Sequence, residues 1–197
     1  MKCGTVSFKV LVIPEDPTHN GYILKPLVQA LVADAGRPRA AVTALTNPWL
    51  GGYDHALRAV KGELAERYAF WDLWLFMPDA DRASPAAMLA LEAELAARQV
   101  RLLCCPAEPE VEIYACAAYR ETLLGGWTLA RQHPRFKEVH FDPLLALHGD
   151  SRRAGGGRDR MMAEALKNYP LLLQLCPELR TLRNRIAMLL QQGGGEF

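Results

Sequence analysis

Leu73-Trp74-Leu75-Phe76-Met77-Pro78-Asp79-Ala80-Asp81, residues 73–81, is the stretch on which the fold turns. An unbroken apolar run closed by a proline predicts a strand buried on both faces, as in the middle of a parallel sheet. Two carboxylates follow it at once. In open parallel sheets, ligand sites form beyond the carboxyl ends of the strands, so Asp79 and Asp81 fall at a functional rim. Spaced two apart in an extended segment, both would lie on one side.

Working upstream, Phe8 to Ile13 is a second apolar run, stopped by Pro14, and it too predicts a buried strand. A polar stretch, Glu15 to Gly21, leads into a helix over Tyr22–Ala33, with Ile23, Leu27, Ala30 and Leu31 at helical spacing. Asn20 or Thr18 is placed to cap it, and Pro26 falls near the first turn, where proline is tolerated. Ala40–Leu45 predicts a strand, and Tyr53–Tyr68 a helix after Gly51-Gly52. Downstream, Pro85–Arg98 predicts a helix and Val100–Cys105 a fourth strand. The order β-α-β-α-β-α-β argues a mainly parallel four-stranded central sheet flanked by helices, an α/β fold with right-handed crossovers. After Pro109 the alternation ends. Glu110–Leu124 predicts a helix, 133–160 a polar irregular segment, and Met161–Asn168 and Pro177–Gln192 two helices. The expected organisation is an α/β domain over 1–125 and a helical extension with a basic glycine-rich loop over 126–192. A disordered tail follows over 193–197.

The 197 residues fit one domain of ordinary size, and a hydrophobic fraction of 50% supplies a full core. A formal net charge of +1 announces no global attraction to nucleic acid or membrane. Cys3, Cys104, Cys105, Cys116 and Cys176 match neither a CxxC pair nor a zinc ribbon, and predict reduced core thiols in a cytoplasmic protein. No signal-like N-terminus and no membrane-length apolar run is present.

Glu15 follows the first strand as Asp79 and Asp81 follow the third, so all three meet at one rim. Clustered carboxylates repel one another unless a cation joins them. Hard oxygen donors suit Mg²⁺, or Mn²⁺. Weaker candidates for phosphate or nucleic-acid contacts are His19, Lys25, Arg82, Arg153, Arg158 and Lys167. Residues 151–190 carry eight cations against three anions, around Gly155-Gly156-Gly157. That run is not a P-loop, because the Gly-Lys-Ser/Thr ending is absent. His133, His140 and His148 match no zinc spacing.

Val12-Ile13-Pro14-Glu15-Asp16-Pro17-Thr18 resembles the first motif of the Toprim fold, and Met77-Pro78-Asp79-Ala80-Asp81-Arg82 its second. Pro109-Glu110-Val111-Glu112-Ile113-Tyr114 resembles an element after the fourth strand in small stand-alone relatives of overcoming-lysogenization-defect-type nucleases. The resemblance covers residues 8–125 and implies a Toprim/Rossmann-like domain. It implies Glu15 as general acid or base and Asp79 and Asp81 as metal ligands, with Glu112, or else Glu110, as a third acidic position. The implied activity is Mg²⁺-dependent phosphodiester hydrolysis on DNA or RNA, of the kind tied to anti-phage defence. The other reading is a non-catalytic binding or regulatory subunit beside a partner ATPase or nuclease, and a homodimer fits either. Asp16 stands where the family usually has glycine.

Overall fold

The computed structural model describes residues 7–48 and 50–192. Cys3, Trp49 and the tail 193–197 lie outside the described residues. Four parallel strands, β1 (Lys9–Pro14), β2 (Ala41–Ala44), β3 (Leu73–Met77) and β4 (Leu102–Cys104), form one sheet in the order β2-β1-β3-β4. Val12 pairs with Leu75 and Pro14 with Met77, so β1 and β3 end level with each other. Every residue of β3 is buried, as its uninterrupted apolar run requires.

Alternate side chains divide the core. Val10, Val12, Leu73, Leu75 and Met77 face one layer of helices, and Leu11, Ile13, Trp74 and Phe76 face the other. On the second face lie α2 (Tyr53–Lys61), α3 (Glu63–Arg67) and α4 (Pro85–Ala97). The first face receives α1 (Gly21–Asp34) from the crossover that runs towards β2. Crossovers of one hand put leftward and rightward connections on opposite faces. One helix therefore cannot cover that first face alone. The chain after 109 completes it: Tyr114, Met161, Leu172, Leu179 and Ile186 share one apolar cluster with Val10, Leu27 and Met77. The β-α alternation ends with β4, and the expected boundary at 125 falls inside one shared apolar cluster.

Several expected elements differ in detail. The helix expected over Tyr53–Tyr68 breaks at Gly62 (φ −108°, ψ −108°), where glycine's freedom permits a non-helical residue. Asn20 stands at the start of α1 without capping it. Its backbone is already helical, and Asp16 takes the capping role one turn earlier by accepting from Thr18 N at 2.7 Å. The helix expected over Glu110–Leu124 is a short α5 (Glu112–Cys116) that tightens into a 3₁₀ segment, Ala117–Thr122. There Tyr119 leaves helical angles (φ −113°) and stacks on His148 at 4.2 Å.

The segment 133–160 is not irregular. It follows α6 (Gly126–Arg131) and contains a π-helical turn (Lys137–Phe141), α7 (Asp142–His148) and the start of α8 (Arg158–Leu166). Then come α9 (Tyr169–Leu175), which the sequence did not announce, and α10 (Pro177–Gln192). The four described cysteines, Cys104, Cys105, Cys116 and Cys176, are all buried and form no disulfide.

β4 is an edge strand, and its free edge is blunted by side chains. Glu92 accepts from Cys104 N at 2.6 Å and from Arg185 Nη2 at 2.5 Å, while Arg185 Nη1 donates to Cys104 O at 3.4 Å. The pair stands in for a neighbouring strand. Glu92→Ala should cost about 1–3 kcal/mol by leaving a buried N–H unpaired. Urea unfolding measures it, and a loss under about 0.5 kcal/mol would show that water replaces the carboxylate at no cost.

Candidate metal centre

The strand order changes direction between β1 and β3, since β1 leads left to β2 and β3 leads right to β4. The crevice outside such a switch point is where open α/β sheets bind ligands. Glu15 leaves the end of β1 and Asp79 follows β3. Glu15 Oε2 accepts from Asp79 N at 3.3 Å, and the Tyr53 amide also holds this carboxylate. Asp79 Oδ1 accepts from Val111 N at 2.9 Å, which ties the segment after β4 to the end of β3. Asp81 lies in a single 3₁₀ turn, Ala80–Arg82, and is exposed.

The carboxylates feel one another. Burial, then the charges of Glu112, Glu15 and Glu110, push Asp79 up to about 7 against one opposing hydrogen bond from Val111. Burial, Glu112, Glu138 and Asp81 push Glu110 up to about 7, with Lys137 opposing. Glu15 is raised as well, by burial first and by Asp81. Glu110 thus lies near enough to Asp81 and Asp79 to feel their charge.

Glu112 takes a different place. It is 1% exposed, and Lys137 Nζ lies 2.9 Å from its Oε1. Burial works against the Lys137 ammonium, but Glu112 and Glu110 outweigh it and raise its pKa. Sequence reasoning missed Lys137. It comes from a polar turn far along the chain, with no strand end or motif to flag it, and only the packing of the C-terminal layer brings it to the rim.

The remaining candidates scatter. His19 Nδ1 pairs with Asp16 at 3.1 Å beside the rim. Burial alone would raise Asp16, but His19 and the Thr18 amide hold it below the usual carboxylate range. Lys25 is exposed and lines a cleft of about 460 Å³ with Thr18, Tyr22, Thr43 and Thr46, beside the ends of β1 and β2. Arg82 pairs with Asp54 at 2.7 Å and lies over the Tyr53 ring. Arg153 pairs with Asp159 at 2.7 Å. Lys167 pairs with Glu164 at the far end of α8 from Arg158, so these two cations do not converge.

No family model, curated protein or solved structure matches the chain. Among the described residues, no three of His, Cys, Asp and Glu converge on one metal-sized point. Glu15 and Asp79 each lend oxygen to backbone amides instead. The donor set still fits a hard divalent cation: all oxygen, partly buried, and raised in pKa by burial and mutual repulsion. Asp79 Oδ2 carries no protein donor among the described residues, and Asp81 is free to turn inward.

Those shifts fix a sign. Asp79 has a folded pKa near 7 against 3.8 unfolded. Its protonated form therefore favours the fold below about pH 4, and that advantage is lost as pH rises to about 7. In EDTA, Asp79→Asn should gain stability relative to wild type across pH 4–7 and hold the gain above it. Urea midpoints at several pH values test this; a difference that stays constant with pH would contradict an Asp79 carboxyl raised by burial and by its acidic neighbours.

Proposed function

We propose that the chain is a Toprim-like, Mg²⁺-dependent phosphodiesterase that cuts a nucleic-acid strand, consistent with a role in anti-phage defence inside the cell. The observation that carries the reading is the repelling carboxylate cluster at the switch point between β1 and β3. Asp79 and Asp81, with Glu110 beside them, would hold the ion. When bound, Mg²⁺ supplies charge neutralisation on the phosphoryl oxygens. Glu15, raised above the usual carboxylate range by burial, is the carboxylate at the end of β1 placed to give or take a proton. Lys137 pairs with Glu112 beneath the rim and adds a cation close to where a phosphate would sit. Mg²⁺- and Mn²⁺-dependent cleavage of plasmid, single-stranded DNA and RNA tests the proposal, and a purified protein that cuts none of them contradicts it.

One observation favours the non-catalytic reading, a regulatory subunit beside a partner ATPase or nuclease. Among the described residues no three of His, Cys, Asp and Glu converge on one metal-sized point, so the rim must rearrange before it can ligate an ion. Metal binding without cleavage would select that reading. No helix among the described residues is long and apolar enough to cross a membrane.

A further inference from the structure

Arg158 opens α8 directly after three glycines in the left-handed region, Gly155 (φ 73°), Gly156 (φ 65°) and Gly157 (φ 84°). It is 7% exposed. Its guanidinium folds back under the turn, with Nη1 donating to Gly155 O at 3.0 Å and the Phe141 ring centroid 5.2 Å away. Its Nε is buried without a hydrogen-bond partner. No carboxylate among the described residues pairs with it: the adjacent Asp159 gives Oδ2 to Arg153, and its Oδ1 is buried without a hydrogen-bond partner. Buried charges are ordinarily paired, and here the helix dipole adds positive potential at the same end. The nearby ammonium of Lys137 also repels it. Although Asp159 stands in the first turn of α8, this buried cation has no ion-pair partner among the described residues and its Nε goes unbonded.

The turn is held in place. A Cβ on Gly155 would stand 2.4 Å from the Tyr22 ring, and one on Gly157 2.3 Å from Asp150 N. The glycine turn therefore presses against the first turn of α1, which follows the Glu15 loop. We propose that Arg158 and the Gly155–Gly157 turn at the N-terminus of α8 form a binding position for a phosphate group, carried by a polynucleotide strand or by a free nucleotide. It rests on the phosphodiesterase reading only for the identity of the ligand.

The test is calorimetry in EDTA, with pyrophosphate and a short single-stranded oligonucleotide lacking terminal phosphates as probes. Wild type and Asp79→Asn/Asp81→Asn should bind alike, so failure of the metal reading leaves this result standing. Arg158→Gln should bind at least tenfold more weakly; equal binding overturns the proposal, as does no binding to wild type at millimolar probe. Oligonucleotide binding assigns the position to a strand phosphate, and pyrophosphate binding alone assigns it to a free nucleotide. Should Arg158→Gln fail to fold, hydrogen exchange on wild type decides. Amides of 154–159 should slow on adding pyrophosphate, and unchanged exchange there overturns the proposal.

Discussion

Asp79→Asn/Asp81→Asn should lower metal-dependent cleavage by about 10³-fold or more while the protein stays folded. A divalent ion contributes several kcal/mol of transition-state charge stabilisation, and each 1.4 kcal/mol or so is a factor of about ten in rate. Removing both charges takes away the ligands that reach the switch point from β3. The fold should survive, because the amide oxygen introduced at position 79 can still accept from Val111 N, the bond that ties the β4 exit to β3. Above pH 7 and without metal the variant should be the more stable protein, since position 79 no longer bears a charge its surroundings disfavour. Equal cleavage by variant and wild type would show that the activity comes from elsewhere.

Lys137→Met should destabilise the protein by about 2–4 kcal/mol. Removing one partner of a buried pair leaves the other charge uncompensated, which costs about 3–5 kcal/mol when both are inside. Glu112 is 1% exposed and Lys137 side-chain exposure is 40%, so the effect shifts down by about 1 kcal/mol from that range. Lys137→Met/Glu112→Leu should recover most of the loss, because neither charge remains to be desolvated. Urea unfolding of the two variants separates this account from simple packing. If the single variant loses under about 0.5 kcal/mol, or the double loses as much as the single, the pair is not what holds the π-helical turn to α5.

The sheet was legible because its strands are written as proline-terminated apolar runs. Leu73–Met77 has no polar residue and no exposed one. The places of Glu15 and Asp79 were legible for the same reason, since a strand end fixes where the chain goes next; that of Asp81 was not, because the chain leaves the extended form expected there for a 3₁₀ turn. The C-terminal layer was not. Between Gly126 and His148 the buried Phe136, His140, Phe141 and Leu144 stand at helical spacing, but Pro134 and Pro143 punctuate the run and read as turns in the sequence. Lys137 and Arg158 share this obscurity: their surroundings come from tertiary packing against α5, Phe141 and the turn before α8, not from local pattern. Glu112 was found by resemblance to a motif, but its burial beneath Lys137 follows from the fold.

The rim at the β1–β3 switch point is expected to take up a divalent ion. Calorimetric titration of Mg²⁺ and Mn²⁺ into the metal-free protein, beside Asp79→Asn/Asp81→Asn, tests it most directly. Saturable binding by wild type that the double variant loses is the predicted result, and no binding at millimolar metal, or equal binding by both proteins, would contradict it.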